Sequence, residues 1–179
     1  MRSWFARRMI DSFGARYDYD VSYLRAMLET SPAAFFKFLA VMKLSRHGEA
    51  TPKEALFAAR LVGAMTEDCG PCVQIVVDMA REAGVADGDI AAILTRDRSA
   101  MSENAAIGFL FADQVARRDE ADVIRESVRT KWGDKGVLDL TFALQASRLF
   151  PMVKAGMDYA RECVRVKVGD AAVAVATTA

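Results

Sequence analysis

The chain has 179 residues, 53% of them hydrophobic, and its 24 basic and 24 acidic residues cancel. That length suffices for one domain with a sizeable core, and the charge balance argues against an electrostatically driven nucleic-acid binder. Three cysteines, Cys69, Cys72 and Cys163, do not make a secreted disulfide scaffold. A close pair with one distant cysteine fits a reducing cytoplasm, which is the expected location.

Apolar residues recur at spacings of three and four almost throughout, and strand patterns are nearly absent, so the fold class is all-α: a single-domain helical bundle over residues 1–168. The first helix covers residues 2–14 and ends near Gly14. Its apolar side (Trp4, Phe5, Ile10, Phe13) opposes Arg2, Arg7 and Arg8, and it reads as docking on its own domain or a neighbouring subunit rather than on a membrane. No apolar h-region follows these N-terminal charges. The most apolar early run, residues 33–44, includes Lys37 and Lys43 and is too short to span a bilayer.

A second helix runs over residues 21–29 with Asp20 as N-cap. Ser31-Pro32 opens a third, since proline suits a first turn, and it ends near His47-Gly48. Thr51-Pro52-Lys53-Glu54 has capping-box spacing and opens a fourth, to about Met65. After Thr66-Glu67-Asp68 comes Cys69-Gly70-Pro71-Cys72 and a fifth helix that stops at Gly84. A short sixth helix covers residues 90–94. Ser102-Glu103-Asn104 starts a seventh, to about Arg118, and an eighth covers residues 121–131. Trp132-Gly133-Asp134 breaks it. A last helix spans residues 135–166, with Pro151 inside to kink or split it. Residues 169–179 are small, apolar and aperiodic, and are expected to fray.

Cys69 and Cys72 lie three apart at a helix start, on one face. The unpaired N–H groups and the positive dipole end there favour a thiolate, the form that attacks a disulfide or peroxide. A disulfide between them would bridge one turn and lock little of the fold. Two inert buried cysteines, or half a zinc site, are the other readings. Zinc needs four ligands, and only Cys163 and His47 remain, each isolated. No metal is therefore expected, and no glycine-rich phosphate loop follows a strand to suggest a nucleotide or flavin. By helix geometry Cys69 is the closer to free N–H groups and the more exposed. His47 reads as an ordinary charge at a helix end, and Cys163 as a core residue.

Residues 51–95 resemble the core of the alkylhydroperoxidase D and carboxymuconolactone decarboxylase family. The match rests on the CxxC at a helix start, on Ala80-Arg81-Glu82-Ala83-Gly84, and on the spacing from Gly84 to Ile90. The run from Trp132 to Thr141 resembles the family's second half, and the resemblance covers residues 20–165. It implies an alkylhydroperoxidase D-like homo-oligomer that reduces peroxides or disulfides at Cys69 and Cys72. Cys72 would meet the peroxide, Cys69 would resolve it, and a dithiol protein or small thiol would recharge the pair. In the peroxidase branch a Glu precedes the CxxC and a His follows the second Cys by four. Here those positions hold Phe57 and Val76. Glu54, one turn earlier, and Glu67, two residues before Cys69, are the remaining candidate carboxylates. Each has a competing capping role, Glu54 with Thr51 and Glu67 with Asp68 on the CxxC helix. Two other functions stay open: a non-enzymatic oligomer or small-molecule binder, and the lactone or decarboxylase chemistry of the sister branch.

Overall fold

The computed structural model describes residues 2–159 and 165–176; the reading of Cys163 falls outside the described residues. The elements are α1 (Arg2–Tyr17), α2 (Ser22–Thr30), α3 (Pro32–Ser45), α4 (Lys53–Thr66), α5 (Gly70–Glu82), α6 (Asp87–Thr95), a 3-10 turn (Arg98–Ala100), α7 (Glu103–Arg117) and α8 (Asp122–Gly156), then strands β1 (Arg165–Val168) and β2 (Ala171–Ala174). The all-α reading holds: the two strands form one small antiparallel hairpin.

The core sits around α4, whose Ala55, Ala58, Ala59, Leu61 and Val62 are fully buried. Glycine and alanine let it approach its neighbours closely. A Cβ on Gly108 of α7 would lie 2.3 Å from the Ala55 carbonyl oxygen, and one on Gly63 of α4 would lie 2.5 Å from that of Leu144. Such contacts are backbone on backbone, so any added atom must separate two helices.

Apolar side chains divide into two clusters. The larger joins α4 through α8 with Val166 and Val168 of the hairpin. The smaller joins α1, α2 and α3 through Ala6, Ile10, Tyr19, Val21, Tyr23, Leu24, Leu28 and Phe35. Polar contacts tie α1 to α5: Arg16 Nε and Nη2 each donate to Glu82 at 3.1 Å, and Tyr17 donates to the same carboxylate at 2.8 Å. The CxxC turn lies where the two clusters meet.

Several boundaries differ from expectation for identifiable reasons. Helix α1 continues past Gly14 to Tyr17, because Gly14 serves as a contact point. Its carbonyl accepts from Tyr19 N at 3.0 Å, and a Cβ there would lie 3.1 Å from the Tyr19 carbonyl oxygen. The Asp20 carboxylate accepts from Ser22 N at 2.9 Å, but the N-cap of α2 is Val21. The Thr51–Glu54 capping box does not form; the N-cap of α4 is Pro52, with no side-chain cap bond. A buried carboxylate satisfies this segment instead. Asp139, with no exposed surface, accepts from Glu49 N, Ala50 N and Thr51 N at 2.9–3.1 Å. His47 Nε2 lies 3.3 Å from the same group.

The break at Gly133 is real: φ 68° and ψ −173° interrupt α8, a conformation glycine reaches without strain. The last helix ends at Gly156, not at 166, and residues 169–176 are not frayed. Val166 and Val168 are buried while Lys167 is exposed, the two-residue alternation of a half-buried strand. Gly169, at φ 61°, turns the chain into β2. Gln74 of α5 clamps the outer edge of β1: its Oε1 accepts from Lys167 N at 2.7 Å and its Nε2 donates to Lys167 O at 3.0 Å. Ala176 N then donates to Leu94 O at 2.9 Å. No helix among the described residues is long and apolar enough to cross a membrane.

Candidate functional site

Cys69 is the N-cap of α5, with Gly70 and Pro71 in the first turn. Its carbonyl accepts from Cys72 N and Val73 N, both at 2.9 Å. Proline fits because its missing N–H is one that a helix start leaves unpaired in any case. The two sulfurs are joined as a disulfide, with Cα atoms 5.2 Å apart, inside the usual range of about 4.4–6.8 Å.

Cys69 is 1% exposed and Cys72 3%, which corrects the expectation that Cys69 is the more open. Asp68, left-handed at φ 47°, turns the chain sharply from α4 into α5 and tucks Cys69 into that corner. Cys72 lies one turn on, bonded to Cys69. It lines an apolar cavity of about 250 Å³ between α1–α3 and α4, α5 and α8, whereas Cys69 does not. The sulfur that small molecules can reach is therefore Cys72.

The polar neighbour of that sulfur is a phenol. The Tyr19 hydroxyl lies 3.7 Å from Cys72 Sγ; a disulfide sulfur carries no proton, so Tyr19 is the donor. Burial pushes its pKa up to about 12, with a hydrogen bond from Tyr23 pulling the other way. Burial, then Tyr19 itself, push the Tyr23 phenol higher still. Both phenols are thus neutral near pH 7, and Tyr19 is the one that reaches Cys72. The buried Lys154, 2% exposed, sets its ammonium 4.8 Å from the Tyr19 ring centre and 5.4 Å from that of Tyr23. That places a cation against the π faces of the two rings.

Among the described residues neither candidate carboxylate makes a hydrogen bond to a sulfur. Glu67 caps the end of α4, and its Oε1 accepts from Arg148 Nε at 2.7 Å; it does not line the cavity. Neither Glu67 nor the exposed Asp68 caps α5, which has no side-chain cap bond. Glu54 sits in the first turn of α4. At 1.5 Å per residue it stands roughly 18 Å from the end of that helix where the CxxC begins. The position four past Cys72 puts Val76 on the cavity wall. Phe57, the other departure from the peroxidase pattern, stacks under the Arg60 guanidinium at 4.6 Å.

Sequence reasoning missed Tyr19, Tyr23, Lys154 and Arg60. Two of these carried a signal. Arg60 is the one charged residue in the run from Ala55 to Met65. Lys154 continues the buried stripe Leu140, Leu144, Ser147 and Pro151 of α8, and a charge on a core stripe asks for an explanation. Tyr19 had none, because its approach to Cys72 joins segments 53 residues apart. No protein-family model, no curated protein and no solved structure matches the chain.

Proposed function

We propose that this is a thiol-dependent redox protein of the alkylhydroperoxidase D and carboxymuconolactone decarboxylase type, reducing peroxides or disulfides through Cys69 and Cys72. One observation carries the reading. Cys72, paired with Cys69 at the start of α5, opens onto a cavity and meets a hydroxyl donor there. A purely structural pair has no use for either feature.

In the reduced protein the Cys72 thiolate attacks the terminal oxygen of a hydroperoxide. The S–O bond forms, the O–O bond breaks, and the proton lost by the thiol ends on the leaving alkoxide to give an alcohol. Tyr19 is the group placed to carry that proton, a role the family's peroxidase branch gives to glutamate and histidine. The Cys69 thiol then attacks the sulfenic sulfur, forming the disulfide and releasing water. An external dithiol restores both thiols and becomes a disulfide.

Consumption of an alkyl hydroperoxide with dithiothreitol as reductant tests this. Turnover should vanish in Cys72→Ser and Cys69→Ser and persist in Cys163→Ser. A wild-type rate no faster than that of the Cys69→Ser/Cys72→Ser double variant would overturn it. The burial of both sulfurs favours a second reading, a small-molecule binder without turnover, which predicts that equality of rates together with a saturable ligand site.

A further inference from the structure

The cavity that Cys72 lines is apolar along most of its wall, including Phe13, Phe38, Leu39, Ile75 and Met79. It also has Arg60, Arg46, Ser45 and Ser147 in its lining. Arg60 is half-buried in the middle of α4, its guanidinium stacked on Phe57, and its Nε is buried without a hydrogen-bond partner among the described residues. Among those residues neither Arg60 nor Arg46 is ion-paired. Burial, and then the like charge of Arg46, lower the Arg60 pKa to about 10. Both arginines line the same cavity, and no carboxylate among the described residues neutralises either. Burying a guanidinium without a counter-charge is costly. A carboxylate or phosphate oxygen pair matches its planar fork.

We infer that the cavity binds an amphipathic anion, a carboxylate or phosphate, with its anionic head on Arg60 and Arg46 and its apolar chain along the wall to Cys72. The inference rests on the redox reading for the chemistry at Cys72 and names the substrate class for that site. Dimensions agree. Arg60 precedes the CxxC end of α4 by six residues, roughly 9 Å at 1.5 Å each. The cavity encloses about 250 Å³. A head group and a chain of medium length fit that span, whereas a small neutral peroxide would leave both cations unmatched.

Calorimetric titration of octanoate, octyl phosphate and octan-1-ol into the oxidised full-length protein tests this without any turnover. At least one of the two anions should bind saturably, one per chain, and about 10- to 100-fold more tightly than the alcohol, as a charge-assisted bond requires. Whichever anion binds tighter identifies the head group. Arg60→Met keeps the apolar stem and should remove that advantage; Arg46→Met, at an exposed position, should reduce it and serves if the first variant does not fold. Equal affinity for anion and alcohol, no saturable binding, or full anion binding in a folded Arg60→Met protein would overturn the inference. None of those results touches turnover, so the thiol reading would stand. Loss of turnover with anion binding intact would remove the thiol reading alone.

Discussion

Replacing Tyr19 by phenylalanine removes one oxygen from a buried site and nothing else from its shape. With the disulfide closed that oxygen lies 3.7 Å from Cys72 Sγ; held there on reduction it donates to the thiolate, and a hydrogen bond to the charged form of an acid lowers its pKa. Bonds to charged groups contribute about 1.5–3 kcal/mol. At 1.36 kcal/mol per pKa unit, the Cys72 thiol should therefore rise by about 1–2 in Tyr19→Phe. Less thiolate at pH 7 slows alkylation, but a more basic thiolate is intrinsically more reactive, with a Brønsted slope of about 0.4–0.5. The net expectation is a loss of roughly 3- to 10-fold in rate at pH 7 that disappears above the thiol pKa. Iodoacetamide alkylation followed across pH, in a Cys69→Ser/Cys163→Ser background so that one thiol reports, reads this directly. Tyr23→Phe is the companion: it leaves the Tyr19 hydroxyl in place and should move the profile less. If the Tyr19→Phe profile superimposes on its parent, the phenol does not act on the sulfur and the proton path through it is wrong.

Asp139→Ala leaves the N–H groups of Glu49, Ala50 and the buried Thr51 without their acceptor and should cost about 1.5–3 kcal/mol in denaturant unfolding. Burial pushes the Asp139 pKa up, but the N–H bonds of Ala50, Thr51 and Glu49 together outweigh it and hold it below the ordinary value. Its ionisation therefore stabilises the fold fully above about pH 4 and less as pH falls through the lower folded value. Asp139→Asn should show a flatter loss of unfolding free energy between about pH 5 and 2. Gly108→Ala drives a methyl into the Ala55 backbone and should lower stability by about 1–3 kcal/mol, read as a fall in melting temperature of about 2–4 °C for each kcal/mol. Glu54→Gln, at the far end of α4 from the sulfurs, should leave the alkylation rate within about twofold of the parent.

The helices were legible because their apolar stripes are local and regular, and the break at Gly133 because glycine in a helical run is a local signal. What escaped reading was non-local. The capping box at Thr51 had the right letters, yet Asp139, 88 residues away, took the Thr51 N–H. The hairpin carries little local signal, because Val166-Lys167-Val168-Gly169-Asp170 is only a few residues long and follows a long helical pattern without a break. Position three of the CxxC motif and its helix start were legible from spacing alone. Which sulfur faces the cavity was not, since that depends on the left-handed turn at Asp68 and on what packs across the seam. The relay partners proposed from nearby sequence, Glu54 and Glu67, sit at opposite ends of one helix, and Arg148 already occupies the second.

The phenol and the sulfur it touches belong to different halves of the molecule. Tyr19 is rooted among α1, α2 and α3, while α5 is rooted in the larger body, and several ties between them, such as Arg16 with Glu82, stand in solvent. Regions held this way open at lower free energy than the whole. Loosening the N-terminal three helices would thus part the phenol from Cys72 before the whole protein melts, so the pH profile of that sulfur doubles as a gauge of how firmly that half is seated.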